Sequence, residues 1–280
     1  MTTQLAVLGS PIAHSQSPAL HAAAYGVLGL DWQYSAIEVT ESALRGFIAG
    51  LGSGWRGLSL TMPLKREVLG LLDEVDPVAR LTGGANTVLV DRGRLRGFNT
   101  DVYGITRAFQ DAGVESLRAV RILGGGATAA SALVAVHELG ATQVKLSVRT
   151  PAKAAPLLDL AGALGVALVV TTLDTPHETS APGEAAPDAV VSTLPGHADV
   201  RPRFTAAVRG SAVLFDVAYS PWPSSLASEW FDAGGSVISG IEMLIDQALA
   251  QVRIFVNGDP DAALDDEVAV LAAMRAAVGA

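Results

Sequence analysis

The sequence predicts an α/β protein of two domains whose sheets are mostly parallel. Three observations predict this class. Short apolar runs that suit buried strands alternate with helical segments along the chain. A glycine-rich turn directly follows one of these runs and opens a helix. The length of 280 residues corresponds to about two domains at roughly 150 residues each, and we expect the boundaries near residues 102 and 239.

The first series of elements covers residues 1–102. It is predicted to contain strands at 5–8, 34–39 and 57–61, alternating with helices at 18–28, 42–51 and 65–72. Ser17 suits the N-cap of the first helix, and Pro18 suits its first helical position. Strands at 86–90 and 94–98 are expected to form a hairpin around Asp91-Arg92-Gly93.

A more regular series covers residues 103–238. The predicted elements are a strand at 119–123, a helix at 127–139 that Gly140 ends, and strands at 144–148, 167–171, 189–192, 213–216 and 236–238. Residues 174–188 contain three prolines and several acids, which is typical of a solvated loop. From Ile241 the pattern returns to long helices, so that residues 239–280 form a C-terminal helical segment.

The composition excludes several classes of function. The chain has no cysteine, which excludes disulfides, cysteine–zinc sites and thiol nucleophiles. Its five histidines show no paired spacing, so no metal site is expected. The formal net charge of −9 argues against binding to nucleic acid or to an anionic membrane. No uncharged apolar run reaches the ~18 residues of a membrane helix, and the first residues lack a basic secretory segment, which predicts a cytoplasmic protein.

Residues 122–129, ILGGGATA, match a strand, the pattern G-x-G-x-x-A and a helix. Gly124 permits the tight turn, Gly125 lets the backbone approach a diphosphate, and Ala129 allows the helix to pack closely on the sheet. The diphosphate would rest on the N-terminus of the helix, where free N–H groups favour anions. The pattern predicts dinucleotide binding, and a purely structural glycine turn is the alternative.

The end of the next strand indicates which dinucleotide is bound. NAD-binding domains usually carry an acid about 20 residues after the glycine turn, where it bonds the ribose hydroxyls. This chain instead has Arg149 and Thr150, which suit a 2′-phosphate through a bidentate guanidinium and a hydroxyl. The residues therefore favour NADP, unless Arg149 is simply a solvated loop arginine.

Polar residues also follow the strand ends of the first series. Ser15 and Ser17 stand at a helix start that suits a carboxylate, although capping by Ser17 alone is an open alternative. Lys65, Asn86 and Asp101 follow or precede other strands, where ligands of open α/β sheets bind. Each residue also has an ordinary structural interpretation, as an exposed lysine, a turn asparagine and an Asx-turn aspartate.

Eight strings of the sequence together resemble the shikimate dehydrogenase family. They occur in the family's order across about nine-tenths of the chain: GSPIAHSQSPALH (9–21), LTMPLKREV (60–68), GGANTV (83–88), FNTDVYG (98–104), ILGGGATAAS (122–131), VRT (148–150), FDVAYSPWPS (215–224) and SGIEMLIDQA (239–248). The resemblance implies a substrate domain built from both termini, a central Rossmann-type NADP domain, and catalysis in the cleft between them. It implies reversible NADPH-dependent reduction of 3-dehydroshikimate to shikimate in the biosynthesis of chorismate and aromatic amino acids, by a monomer or homodimer.

The resemblance also implies roles for individual residues. Lys65 and Asp101 would form the acid/base pair. The substrate would be held by Ser15, Ser17, Thr61, Asn86, Tyr219 and Gln247. The cofactor would be held by Gly124, Gly125, Gly126, Ala127, Thr128, Arg149, Thr150 and Gly240.

Three positions depart from the family pattern. Val148 precedes Arg149 where asparagine is frequent, Ser59 replaces a common asparagine, and the turn reads GGGAT rather than the frequent GAGG type. Two other functions stay open: a catabolic quinate/shikimate dehydrogenase that uses NAD, and a non-catalytic ligand-sensing protein on the same fold. The absence of an acid beside Arg149 argues against the first, and the presence of both Lys65 and Asp101 argues against the second.

Overall fold

The computed structural model describes residues 2–173, 186–196 and 202–280. It divides into two units. Unit 1 consists of Met1–Gly104 with Leu244–Ala280, and unit 2 consists of Ile105–Met243. The loop predicted at 174–188 lies outside the described residues except for its last three positions.

Strands and helices alternate along most of the chain. The strands are β1 (Thr3–Gly9), β2 (Trp32–Glu38), β3 (Trp55–Leu60), β4 (Glu74–Val75), β5 (Thr87–Asp91), β6 (Arg94–Phe98), β7 (Ala119–Leu123), β8 (Gln143–Val148), β9 (Ala167–Thr172), β10 (Ala189–Ser192), β11 (Val213–Asp216) and β12 (Val237–Ser239). The helices are α1 (Ser17–Val27), α2 (Glu41–Ala49), α3 (Leu64–Glu67), α4 (Pro77–Thr82), α5 (Asp101–Asp111), α6 (Ala127–Glu138), α7 (Ala155–Leu164), α8 (Ala206–Ser211), α9 (Ser225–Asp232), α10 (Gly240–Asn257) and α11 (Glu267–Val278).

The sheet of unit 1 is mixed. Its described strands run in the order β2-β1-β3-β5-β6-β4. Strand β1 is parallel to β2 and β3, and β4 is parallel to β6, whereas β5 is antiparallel to both β3 and β6. The hairpin of β5 and β6 turns at Arg92 and Gly93, which both have positive φ, 51° and 78°. Two successive positive-φ residues suit the twist of a two-residue hairpin, and the predicted hairpin is confirmed.

The sheet of unit 2 is parallel throughout its described strands, in the order β12-β11-β10-β7-β8-β9. All of its carboxyl ends therefore meet at one edge. Strand β7 lies between β10 and β8, so the strand order reverses there, as in Rossmann-type folds. A cluster around the fully buried Trp230 packs against this sheet and includes Leu123, Val190 and Leu214. The predicted α/β class with mostly parallel strands is confirmed.

Several elements differ from the prediction, and helices α5, α7, α8 and α9 were not predicted. Strand β4 and helix α4 were not predicted, because two and six residues are too short to show a period. The helix predicted at 65–72 is only the four-residue α3, followed by a 3₁₀ turn over Val68–Leu71. Gly70 lies in that turn, and glycine is among the poorest helix formers.

Candidate active site

Strand ends of unit 1 gather polar residues at one edge of its sheet. Because β1 and β3 are parallel and β5 is antiparallel to β3, the carboxyl ends of β1 and β3 lie beside the start of β5. The register pairs Ser59 with Thr87, and Thr87 with Phe98 at the end of β6. The residues that follow these ends, from Thr61 to Lys65 and from Asn99 to Asp101, therefore meet Asn86 at the same edge.

Lys65 and Asp101 form a largely buried ion pair at this edge. The Nζ atom of Lys65 lies 2.5 Å from Oδ2 of Asp101, and the two side chains are 13% and 4% exposed. The other carboxylate oxygen accepts a hydrogen bond of 2.8 Å from Nδ2 of Asn86. Asp101 is also the first residue of α5, where the helix dipole favours a negative charge. The carboxylate is thus held on both oxygens, while the ammonium has further donors for a ligand.

Asn86 is the centre of a buried cluster of amides and hydroxyls. Its Oδ1 accepts from the backbone N–H of Thr100 at 2.9 Å and from the hydroxyl of Thr87 at 2.8 Å. Its Nδ2 lies near Oε1 of Gln247 at 3.2 Å as well as Asp101. Asn86 is 1% exposed and Gln247 is 7% exposed. The structure thus brings together four residues predicted from the sequence: Lys65, Asn86, Asp101 and Gln247.

Thr61 lies beside this cluster, directly after β3, and is partly buried. Its backbone N–H donates to the carbonyl of Leu8 at the end of β1. A Cβ atom on Gly9 would lie only 2.4 Å from Cγ2 of Thr61. Glycine at position 9 therefore lets β1 approach the threonine closely.

Ser17 does not cap α1, so that prediction is wrong. The N-cap is Gln16, which makes no side-chain cap bond, and Ser17 and Pro18 are the first two helical residues. The hydroxyl of Ser15 instead accepts from the backbone N–H of Ser17 at 3.3 Å. Ser15 thereby satisfies an N–H of the first turn, and Ser17 is buried.

Sequence reasoning missed four polar residues beneath this site: His21, Tyr34, Ser59 and Gln251. Gln251 is 1% exposed and lies four residues after Gln247, on the same face of α10. Ser59 is 3% exposed and His21 is fully buried. Two glutamines at i and i+4, separated by the apolar run Ala248-Leu249-Ala250, were the signal that could have indicated a buried polar layer.

Unit 2 places the glycine turn at the carboxyl end of β7. Gly124 has φ +103°, and a Cβ there would lie 2.4 Å from Oγ1 of Thr193, so only glycine suits this position. Gly125 and Gly126 are exposed, and Gly126 is the N-cap of α6 without a side-chain cap bond. Because the cap residue has no side chain to bond them, the first N–H groups of α6, at Ala127 and Thr128, can donate to an anion.

The other predicted cofactor residues lie at the same edge of the parallel sheet. Arg149 and Thr150 are exposed directly after β8, which pairs Ser147 with Leu123 of β7. Tyr219, partly buried, follows β11. Gly240 follows β12, where a Cβ would lie 2.1 Å from the carbonyl oxygen of Val217. Backbone N–H groups, a guanidinium and a hydroxyl are donors that fit the phosphates of a dinucleotide.

The described parts of the chain contain no group of three or more acidic, histidine or cysteine side chains that could hold a metal ion. Among the same residues, no helix combines the length and the hydropathy needed to cross a bilayer.

A parallel six-stranded sheet with a glycine turn at its switch point defines a Rossmann-type unit, here joined to a second α/β unit. A family model described as "Shikimate dehydrogenase substrate binding domain" matches residues 7–88. The shikimate dehydrogenase (NADP(+)) of Methanothermobacter thermautotrophicus is 33% identical over 91% of this chain and 91% of its own length. This chain therefore belongs to the shikimate dehydrogenase family.

Solved structures agree with this assignment. The shikimate dehydrogenase of Mycobacterium tuberculosis matches with a TM-score of 0.82 and 38% identity, over 98% of this chain and 99% of that chain. The shikimate 5-dehydrogenase of Thermus thermophilus, in complex with NADP(H) and shikimate, matches with a TM-score of 0.81 and 31% identity, over 99% of this chain and 100% of that chain.

Proposed function

We propose that this chain is an NADP-dependent shikimate dehydrogenase, which reversibly reduces 3-dehydroshikimate to shikimate in the biosynthesis of chorismate and aromatic amino acids. The observation that carries the proposal is the Lys65–Asp101 ion pair, held among buried amides at the strand ends of unit 1. A binding protein would need no such acid/base pair. Membership of the family and the glycine turn of unit 2 support the same activity.

In this proposal unit 1 binds the substrate. Ser15 and Ser17, at the start of α1, take the carboxylate, since the N-terminus of a helix favours anions. Thr61, Asn86 and Gln247 bind or support the hydroxyl groups, and Tyr219 of unit 2 belongs to the substrate residues as well. A buried polar site of this kind selects strongly for its hydroxyls, because an analogue without one leaves protein groups unpaired.

Unit 2 binds the cofactor in this proposal. The N–H groups of the turn from Gly124 to Thr128 would hold the diphosphate, and Arg149 with Thr150 would hold the 2′-phosphate. Gly240 would lie against the nicotinamide. When NADPH is bound, it supplies the hydride of the reduction.

The residues of unit 1 supply the proton and the electrostatic stabilisation. As negative charge develops on the carbonyl oxygen, the ammonium of Lys65 stabilises it and donates a proton. Asp101 orients that ammonium through the 2.5 Å contact, and its second oxygen stays fixed by Asn86. In the direction of oxidation, neutral Lys65 accepts the proton of the hydroxyl group.

A four-way assay tests the function. Purified protein is mixed with shikimate or quinate and with NADP or NAD, and reduced nicotinamide is followed by its absorbance. We expect the largest kcat/KM for shikimate with NADP. Preference for quinate with NAD would assign a catabolic enzyme, and no turnover in any mixture would assign a ligand-sensing protein. Cytoplasmic location and a monomeric or homodimeric state are also proposals, which cell fractionation and light scattering would test.

A further inference from the structure

A chain of hydrogen bonds runs beneath the site of unit 1 from the ion pair to Tyr34 on β2. We name it the polar relay; in order it contains Asp101, Asn86, Gln247, Gln251, Ser59 and Tyr34. His21 joins the relay from the side at Gln251. Each amide in it could in principle be turned by 180°, so its chemistry depends on which groups fix the donors and acceptors.

Two fixed partners set the direction at Asn86. The carboxylate of Asp101 faces the lysine ammonium and accepts at 2.8 Å from Asn86, whereas the backbone N–H of Thr100 donates to Asn86 at 2.9 Å. Nδ2 of Asn86 must therefore face Asp101, and the same NH₂ group lies 2.9 Å from the hydroxyl of Thr100 and 3.2 Å from Gln247. Gln247 consequently turns its Oε1 toward Asn86.

Backbone carbonyls confirm the orientation of both glutamines, because a carbonyl only accepts. Nε2 of Gln247 lies 3.0 Å from the carbonyl oxygen of Leu244, and Nε2 of Gln251 lies 3.4 Å from that of Asn86. Gln251 then donates its other N–H to Oε1 of Gln247 at 2.9 Å. The Oε1 atom of Gln251 therefore faces Ser59 and His21.

That oxygen determines the hydrogen positions of the rest of the relay. It accepts from Ser59 at 2.7 Å and from Nε2 of His21 at 3.2 Å. His21 is therefore the Nε2–H tautomer, and its Nδ1 accepts from the hydroxyl of Tyr25 at 3.0 Å. Burial lowers the pKa of His21 to about 3, so the ring stays neutral. Since Ser59 donates to Gln251, it must accept from Tyr34 at 2.7 Å.

The relay leaves one group of Gln247 for a ligand. Its Oε1 already accepts from Gln251 and Asn86, and one N–H is used by Leu244. Within the described residues, the second N–H of Gln247 meets no acceptor. We propose that Gln251, Ser59 and His21 are positioning residues that hold the Gln247 amide with this N–H toward the substrate. The proposal rests on the proposed function of unit 1. It requires that a substrate oxygen bound beside Gln247 accepts a hydrogen bond from this N–H.

A double-mutant cycle tests whether Gln251 acts through Gln247. Gln251→Met keeps the length and burial of the side chain, and we expect a fall of about three- to tenfold in kcat/KM for shikimate, the loss typical of one neutral hydrogen bond. The KM for NADP should not change. Gln247→Met with Gln251→Met should lose no more than Gln247→Met alone. Additive losses would overturn the proposal, because a merely structural Gln251 would add its own effect.

The control variant is Val252→Ala, on the same helix. Val252 is fully buried and lies outside the relay, so this variant should lower the melting temperature and leave kcat/KM unchanged. If Gln251→Met does not fold, Ser59→Ala takes its place and should show the same non-additivity with Gln247→Met.

Nitrogen-15 NMR of the histidine rings tests the donor direction without any turnover. Wild-type protein should show His21 as the Nε2–H tautomer, and an Nδ1–H tautomer would overturn the relay. This result is obtained even if the four-way assay shows no activity, so failure of the relay and failure of the proposed function are distinguishable.

Discussion

The two units present polar groups to a ligand in opposite ways. In unit 1 the candidate residues are buried side chains that bond one another, such as the 4% exposed carboxylate of Asp101 and the 1% exposed Asn86. In unit 2 they are backbone N–H groups at an exposed glycine turn and the exposed side chains of Arg149 and Thr150.

The difference follows from the sheets. The parallel sheet of unit 2 aligns all its strand ends, so a single turn with the start of one helix is enough to hold phosphates. In unit 1 the antiparallel β5 brings Asn86, at the start of a strand, among residues that follow the ends of β3 and β6. The mixed sheet thereby assembles a preorganised set of donors and acceptors, as transition-state stabilisation requires.

The largest effect is expected at the ion pair of unit 1. Lys65→Met removes the ammonium and keeps the apolar stem, so kcat should fall by roughly 10²–10⁴-fold, as for other positioned proton donors. Shikimate binding, measured by calorimetry, should change little. Arg66→Met is the control, since Arg66 is the exposed neighbour of Lys65 on α3. A variant with normal kcat and only a raised KM would reassign Lys65 to substrate binding.

A smaller and more selective effect is expected in unit 2. Arg149→Ala should weaken NADP by about 10- to 100-fold, because a charge-assisted bidentate contact contributes roughly 1.5–3 kcal/mol. NAD binding should stay nearly constant, and fluorescence titration with both cofactors measures the difference. Arg118→Ala, in an exposed residue at the opposite end of β7, serves as control. Equal losses for both cofactors would show that Arg149 does not contact the 2′-phosphate.

A third effect, on folding rather than on the ligand sites, concerns the stability of unit 1 toward acid. Burial lowers the pKa of His21 from 6.5 to about 3, so between these values the unfolded chain binds a proton that the folded protein does not. The free energy of unfolding should therefore decrease as the pH falls from 6.5 to 3, by about 1.4 kcal/mol per pH unit from this group. In unit 2, by contrast, burial raises the pKa of Asp216.

Chemical denaturation at several pH values measures this contribution. His21→Phe keeps a ring next to Tyr34, on which His21 stacks at 3.9 Å between centroids, and should reduce the pH dependence. His14→Gln, in an exposed residue, is the control. If wild-type protein and His21→Phe have the same slope, His21 does not couple stability to pH.

The sequence predicted features that depend on local chemistry. The hairpin at Asp91-Arg92-Gly93 and the turn at Gly124 were recognisable by Gly93 and Gly124, because positive φ angles favour glycine. Lys65 and Asp101 were recognisable as polar residues near strand ends, the family resemblance implied that they act as a pair, and the structure places them in an ion pair. The N-cap of α1 was misassigned because serine is a favoured cap residue, whereas the structure has Gln16 at the cap position and Ser17 inside the helix.

Most of the polar relay could not be predicted, because its bonds join distant parts of the chain. Ser59 bonds Gln251 across 192 positions, and Asn86 bonds Gln247 across 161. Ser59 was visible only as a departure from the family's asparagine. No local pattern encodes which buried hydroxyl will face which amide, since that depends on how α10 packs against β3 and α1.

Because these partners lie far apart in the sequence, the ribosome synthesises them at different times. His21 and Gln251 are 230 positions apart, so at translation rates of ~5–20 residues per second the nascent chain carries α1 for about 10–45 seconds before Gln251 is made. The residues of unit 2 are contiguous and are complete before that moment. The amide that fixes His21 and Ser59 is therefore the last part of the relay to be added, and a translation product that stops after Met243 contains all of unit 2 without a finished polar relay.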